Sequence, residues 1–225
     1  MSILLKWVAE EERYTLSPAG YALFIIAIIL LLLIASLLTG VSKKKQLSTR
    51  QLAFCSMSIA LATVTSFIKV FSFPTGGSIT LLSMFFICFI GYLYGAKIGI
   101  LSAVAFGILQ LIIEPKIYFP MQILIDYVLA FGALGISGFF SQKKWGMIVG
   151  YLAGITGRFV FTTISGVLFF GEYAWEGWNP VAYSTVYNAI YIFAEGAVTI
   201  LILLVPTVRA QLQRVRNMAV ESQHL

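Results

Sequence analysis

Histidine is almost missing from this chain: one residue in 225, His224, second from the end. Cysteine is nearly as scarce, with only Cys55 and Cys88. So few ligating side chains give neither a disulfide framework nor a metal spacing, and both cysteines read as small packing residues inside apolar runs. Charge is thin too, at 11% of residues against 60% hydrophobic. With a mean hydropathy of +0.94, that excludes a soluble domain. Short alternating strands are lacking, which excludes a transmembrane β-barrel, and no Walker-type phosphate loop occurs. What the chain has in quantity is apolar runs of span length, the mark of an all-α polytopic membrane protein.

The runs fall at about 21–38, 51–71, 79–94, 97–113, 118–140, 146–170 and 183–205. The first is followed, not preceded, by its basic cluster, so it reads as an anchor and not a cleavable signal. A breaker-rich turn, Phe73-Pro74-Thr75-Gly76-Gly77-Ser78, enters the third, and Glu114-Pro115-Lys116 precedes the fifth. Seven spans with an external N-terminus leave 41–50, 95–97, 141–145 and 206–225 in the cytoplasm. Those stretches hold Lys43, Lys44, Lys45, Arg50, Lys97, Lys143, Lys144, Arg209, Arg214 and Arg216, ten of the fifteen basic residues. Outer stretches hold Lys6, Arg13, Lys69 and Lys116. The net charge of +6 is thus a topology signal and not a footprint for nucleic acid.

Polar groups inside the spans carry the functional information. Asp126 lies roughly 9 Å from the outer end of its span at 1.5 Å per residue. A carboxylate there needs a cation, a wet cavity or a proton. Gln122, Tyr127 and Tyr118 sit within a turn or two of it. Asn188 and Thr162 fall roughly 7 to 12 Å deep on neighbouring spans, with Tyr183 and Tyr187 assigned to the same layer, so polar side chains of several helices meet at one level. Arg158 and Glu195 lie deeper, roughly 18 Å in, and opposite charges at equal depth are expected to form a structural ion pair. The loop from Phe169 to Pro180 is rich in rings, suited to an interfacial belt or to a lid that stacks on a flat or cationic ligand. Phe170 is the ring placed nearest the polar layer. Ser56 and Ala60 make a small-xxx-small step that lets another backbone approach closely.

Together, PMQILIDYVLAFGALGISGFF and GRFVFTTISGVLFFGEYAWEGWNPVAYSTVYNAIY resemble the thiamine-specific S components of energy-coupling factor (ECF) transporters over about residues 50–205. The resemblance implies a six-helix substrate-binding membrane subunit that captures the vitamin outside and delivers it with a transmembrane coupling subunit and two ATPases. Residues 46–208 would form that domain, 1–45 an extension with one extra transmembrane helix, and 209–225 a cytoplasmic tail. Under the resemblance, Asp126 matches an acidic residue, more often Glu, facing the cationic part of thiamine. Tyr127, Tyr183, Asn188 and Tyr118 match pocket residues, Phe170 falls where a stacking Trp can occur, and Ser56 and Ala60 match the step that docks on the coupling subunit. Thr162 departs from an expected His, which leaves room for a thiamine precursor or analogue.

The residues leave an alternative transport reading, an autonomous proton-coupled carrier of thiamine or another small organic cation. An intramembrane enzyme would need a nucleophile–base pair, a metal cluster or paired aspartates; with one Asp and no His in the spans, neither an enzyme nor a cofactor is expected.

Overall fold

A helix apolar all round must be covered by other helices or by lipid, and this chain divides its helices between the two. The computed structural model describes residues 5–8, 13–19, 22–23, 26, 47–73 and 77–220. The expected first span, 21–38, lies almost wholly outside these residues, as do Lys43, Lys44, Lys45 and His224. Strand β1, Leu5–Val8, pairs antiparallel with β2, Arg13–Leu16.

Helix α1, Thr49–Ser66, begins with a full capping box between Ser48 and Gln51. It ends earlier than the expected span of 51–71. Thr63, Thr65 and Ser66 turn their hydroxyls back onto the carbonyls of Ile59, Leu61 and Thr63, local bonds that compete with continued helix. The β-branched and aromatic run beyond them forms β3, Lys69–Ser72, which pairs antiparallel with β4, Ser78–Thr80. The third span is shortened in consequence: residues 79–80 are spent on the hairpin, and α2 runs only Ser83–Tyr94. Leu82 makes the corner with φ 64°, a left-handed conformation uncommon for a bulky residue.

Helix α3, Ala96–Ile113, is followed by a non-helical stretch, 114–121, so the Asp126 helix α4 spans Ile123–Phe140 and not 118–140. Its pitch changes along its length: a π segment at Ile123–Leu129, an α turn at Ala130–Gly132 and a 3-10 segment at Ala133–Phe140. Helices α5, Gly146–Phe169, and α6, Pro180–Leu204, follow. Asn179 caps α6 by accepting from the Ala182 amide at 2.7 Å, and Pro180 occupies its first turn. Pro206 starts α7, Pro206–Val220. Its Leu212, Val215, Ala219 and Val220 pack on the core, and Arg50 Nη1 donates to the Met218 carbonyl at 3.0 Å.

Helices α3, α4, α5 and α6 are long and apolar enough to cross a bilayer; with α1 and α2 they make an all-α membrane bundle. The core lies where α4 meets α2, α3 and α5, around Ile87, Cys88, Phe106, Leu134, Tyr151 and Ile155. Cys55 and Cys88 are free and buried, as packing residues should be. Glycine permits the approach: a Cβ on Gly107 of α3 would overlap the Tyr127 carbonyl of α4, and one on Gly135 of α4 would overlap the backbone of Ile100.

Gly107→Ala should therefore destabilise the bundle by about 1–3 kcal/mol through overpacking. Thermal unfolding in detergent measures this, with the exposed Ala105 of the same helix changed to Ser as the control. Equal melting temperatures for the two variants would contradict the close contact.

Candidate functional site

A cavity of about 180 Å³ opens between the hairpin and α3 through α6. Of the expected binding residues, Asp126, Gln122, Tyr127, Thr162, Phe170, Tyr183 and Asn188 line it. Tyr118 does not: its ring packs edge-on against Phe170 at 5.3 Å and against Tyr173 at 6.2 Å, so it backs the wall.

The π segment of α4 sets the position of Asp126, and such wide turns are frequent at functional sites. Gln122 Nε2 donates to Asp126 Oδ2 at 2.8 Å, while Gln122 Oε1 accepts from the Tyr118 amide at 3.0 Å. The other carboxylate oxygen, Oδ1, is buried without a hydrogen-bond partner within bonding geometry among the described residues, the Ser165 hydroxyl being its neighbour. Tyr127 points toward the 114–116 turn, where its hydroxyl accepts from the Lys116 amide at 2.9 Å. Asn188 ties α6 to α5: Nδ2 donates to the Thr162 carbonyl at 3.3 Å and to the Ser184 carbonyl at 2.8 Å, and Oδ1 accepts from Tyr191 at 2.7 Å. Thr162 spends its own hydroxyl on the Arg158 and Phe159 carbonyls, both at 3.1 Å.

Aromatic rings make much of the remaining wall. Tyr183, Tyr187 and Tyr191, one turn apart on α6, stand 5.5 and 5.8 Å from ring to ring. Phe73 of the hairpin leans on Tyr187 at 5.2 Å. Trp175 packs edge-on against both Trp178, at 5.1 Å, and Tyr183, at 5.3 Å, so the aromatic loop touches the cavity wall directly.

The expected ion pair between Arg158 and Glu195 is not formed. Glu195 Oε2 accepts from Thr80 at 2.6 Å, and Oε1 accepts from the Met84 amide at 3.0 Å and from Ser83 at 3.2 Å. Donors from the hairpin and from the start of α2 thus replace the cation, and they exist only because the third span is cut short there. Arg158 instead lays its guanidinium over the Phe131 ring, 4.0 Å from its centre, with Nε buried and unbonded.

The hairpin's share of the site, Lys69, Gly77, Ser78 and Thr80, was not foreseen from sequence, because the segment reads as helix ends. A Cβ on Gly77 would lie 2.7 Å from Tyr191, so the turn presses onto the tyrosine ladder. Ser165 and Ser184 also line the cavity, with hydroxyls that have no partner within bonding geometry among the described residues. They sit at i+3 from Thr162 and i−4 from Asn188, a helical spacing that could have found them.

Lys69, Lys116 and Arg158 balance Glu114, Asp126 and Glu195 around the cavity. Lys69 Nζ donates to Glu114 Oε2 at 2.6 Å, and Lys116 Nζ lies 3.3 Å from Glu114 Oε1. With Glu195 also bonded, the buried groups of the cavity wall without a hydrogen-bond partner among the described residues are Asp126 Oδ1, Arg158 Nε and the Ser165 and Ser184 hydroxyls. Beside aromatic faces, these suit a small, flat molecule with one cationic centre and polar edges.

Burial alone would raise the Glu114 carboxyl, but the hydrogen bond and charge of Lys69, with Lys116, outweigh it and hold the group below its ordinary value. A depressed folded value contributes stability above the ordinary carboxylate range and loses it as pH falls through that folded value. Glu114→Gln should cost about 1 kcal/mol near pH 7 for a part-buried cluster still screened by solvent, and its melting curve should merge with wild type as pH drops below about 4. A gap that stays constant to pH 3 would count against the cluster.

The chain matches the thiamine transporter protein family over residues 52–214. It is 33% identical over 146 residues to the thiamine transporter ThiT of Bacillus subtilis, a stretch that covers 59% of this chain and 76% of that protein. The solved structure of ThiT from Listeria monocytogenes superposes with a TM-score of 0.58 at 25% identity, covering 70% of this chain and 96% of the other. A membrane bundle with its polar cavity among α3 to α6, matched in sequence through every one of those helices, belongs to the thiamine transporter protein family.

Proposed function

We propose that this chain captures thiamine, as the substrate-binding subunit of an ECF-type transporter powered by partner ATPases. One observation carries the reading: in a cavity walled by tyrosines, Asp126 keeps a buried carboxylate oxygen that has no hydrogen-bond partner within bonding geometry among the described residues, with the Ser165 hydroxyl beside it. A permanent cation with an aromatic body supplies what that oxygen lacks, since an unpaired carboxylate in low dielectric is costly. Thiamine offers the cation, a flat aminopyrimidine for the rings, and a hydroxyethyl arm for Ser165, Ser184 or the guanidinium edge of Arg158. The names of the relatives support thiamine as the substrate.

In this reading residues 46–208 form the binding domain, with 1–45 as an extension and 209–225 as a tail. The N-terminus lies outside and the C-terminus in the cytoplasm, because the basic residues gather at the end of the bundle opposite the hairpin. The coupling subunit docks on α1, where Ser56 and Ala60 are exposed on the same side as Met57, Leu61 and Val64. That unpaired small and apolar stripe suits another membrane helix.

Isothermal titration of the detergent-purified protein with thiamine, and with its pyrimidine and thiazole halves, tests the pocket. Asp126→Asn keeps the shape of the side chain and removes its charge, so affinity should fall on the order of 10²-fold. Unchanged affinity would remove Asp126 from the site. Tighter binding of one half than of thiamine would assign the precursor as substrate, the outcome for which Thr162 in place of His leaves room. Uptake by the purified chain alone under a pH gradient would favour the autonomous carrier.

Ser56→Leu should abolish co-purification of the coupling subunit while leaving thiamine affinity unchanged. Retained assembly would move the docking surface away from α1.

A further inference from the structure

A second cavity, about 290 Å³, lies at the opposite end of the bundle, between α7 and the start of α5. Its wall is divided by chemistry. Tyr92, Trp145, Met147, Ile148, Leu203 and Leu212 supply an apolar floor, and Lys144, Arg209 and Gln213 supply a polar edge. The Arg209 guanidinium lies 4.8 Å from the centre of the Trp145 ring, and its Nε is buried without a hydrogen-bond partner among the described residues. Among the described residues no carboxylate pairs with it. The segments that build this end, residues 141–145 and 206–220, carry Lys143, Lys144, Arg209, Arg214 and Arg216 and no Asp or Glu. Both ion pairs found among the described residues belong to Glu114, at the hairpin end.

The neighbouring cation shows how a basic group is satisfied here when protein can do it. Arg216 Nη1 donates to the Tyr92 hydroxyl at 3.2 Å and Nη2 to the Ser141 carbonyl at 2.9 Å. Those bonds fix α7 against the bundle and hold the groove open with Arg209 on its edge. Past the groove, Val149 and Leu152 of α5 and Leu201 and Leu204 of α6 are exposed to the lipid layer. An apolar floor therefore runs from the basic edge toward the membrane.

We infer that this groove binds the headgroup of an anionic phospholipid from the leaflet at the basic end of the bundle, with the phosphate on Arg209 and Lys144 and the glycerol and upper acyl chains along Trp145, Ile148 and Leu203. Charge complementarity selects the occupant. A zwitterionic headgroup brings its own cation to two basic residues that have no ion pair among the described residues, whereas phosphatidylglycerol brings only the anion. Basic pockets between membrane helices at the inner interface bind anionic headgroups on these terms, and guanidinium is suited to hold a phosphate through two parallel donors.

Native mass spectrometry of the full-length protein in detergent, with added dioleoyl-phosphatidylglycerol, dioleoyl-phosphatidylcholine or inorganic phosphate, tests this. The protein should retain phosphatidylglycerol over phosphatidylcholine by on the order of tenfold, as two basic contacts imply. The double variant Arg209→Gln/Lys144→Gln should lose that preference. Lys143→Gln/Arg214→Gln, which removes the same charge from the same end, should keep it. Thermal unfolding without lipid confirms that both variants fold. Equal loss in both variants would reduce the effect to diffuse surface charge and overturn the site. So would full preference in the Arg209/Lys144 variant, or displacement of phosphatidylglycerol by millimolar phosphate. If the Arg209/Lys144 variant kept its lipid but no longer co-purified with the coupling subunit, the groove would be a protein interface and the lipid assignment would fail.

Discussion

The Glu195 carboxylate holds the architecture of the site together. It sits in the middle of α6, at membrane depth, and its bonds come from Thr80, Ser83 and the Met84 amide. Those donors lie where the hairpin ends and α2 begins, so one buried charge joins three elements. A carboxylate at the first amides of a helix also meets the positive end of its dipole. The left-handed turn at Leu82 is what aims Ser83 and the Met84 amide at Glu195. Without this anchor, a short two-stranded hairpin would have little to hold it over the cavity, since such hairpins are marginal alone.

Once Glu195 is satisfied in this way, the other charges sort themselves. Glu114 takes both lysines at the rim, and Arg158 rests on Phe131. Gln122 answers half of Asp126. The chain thus spends its polar partners on keeping the walls in place and leaves one carboxylate oxygen open at the centre. The tyrosine ladder and the ring pair of Tyr118 and Phe170 surround that point with stiff surfaces that lose little freedom on contact.

Much of this was readable from the residues. Asp126, Gln122, Thr162, Phe170, Tyr183 and Asn188 do share one cavity, because depth along antiparallel spans is a sound coordinate when helices are straight and apolar. The expected pairing of Arg158 with Glu195 failed for a reason that depth alone cannot reveal. Equal depth says that two charges could meet, not that a hydroxyl pair and an amide reach one of them first. The hairpin was hidden because Ile68, Val70, Phe71, Ile79 and Leu81 suit a membrane helix and a strand equally well; only the pairing of β3 with β4 decides between them. The π segment around Asp126 leaves no mark in composition, although Gly107 of α3 lies where the Tyr127 carbonyl of that segment comes close.

The shortness of α2 has a mechanical consequence. Its 12 residues reach roughly 18 Å, well under the roughly 30 Å of hydrocarbon that a bilayer presents. The balance of that thickness on this flank falls to the hairpin, whose Val70 and Phe71 are exposed. Strand backbone is tolerated at such depth only beside protein or a wet chamber, and here the chamber supplies that shelter. Hydrophobic mismatch on this flank is therefore met by strand side chains instead of helix, and its cost scales with the thickness of the surrounding bilayer.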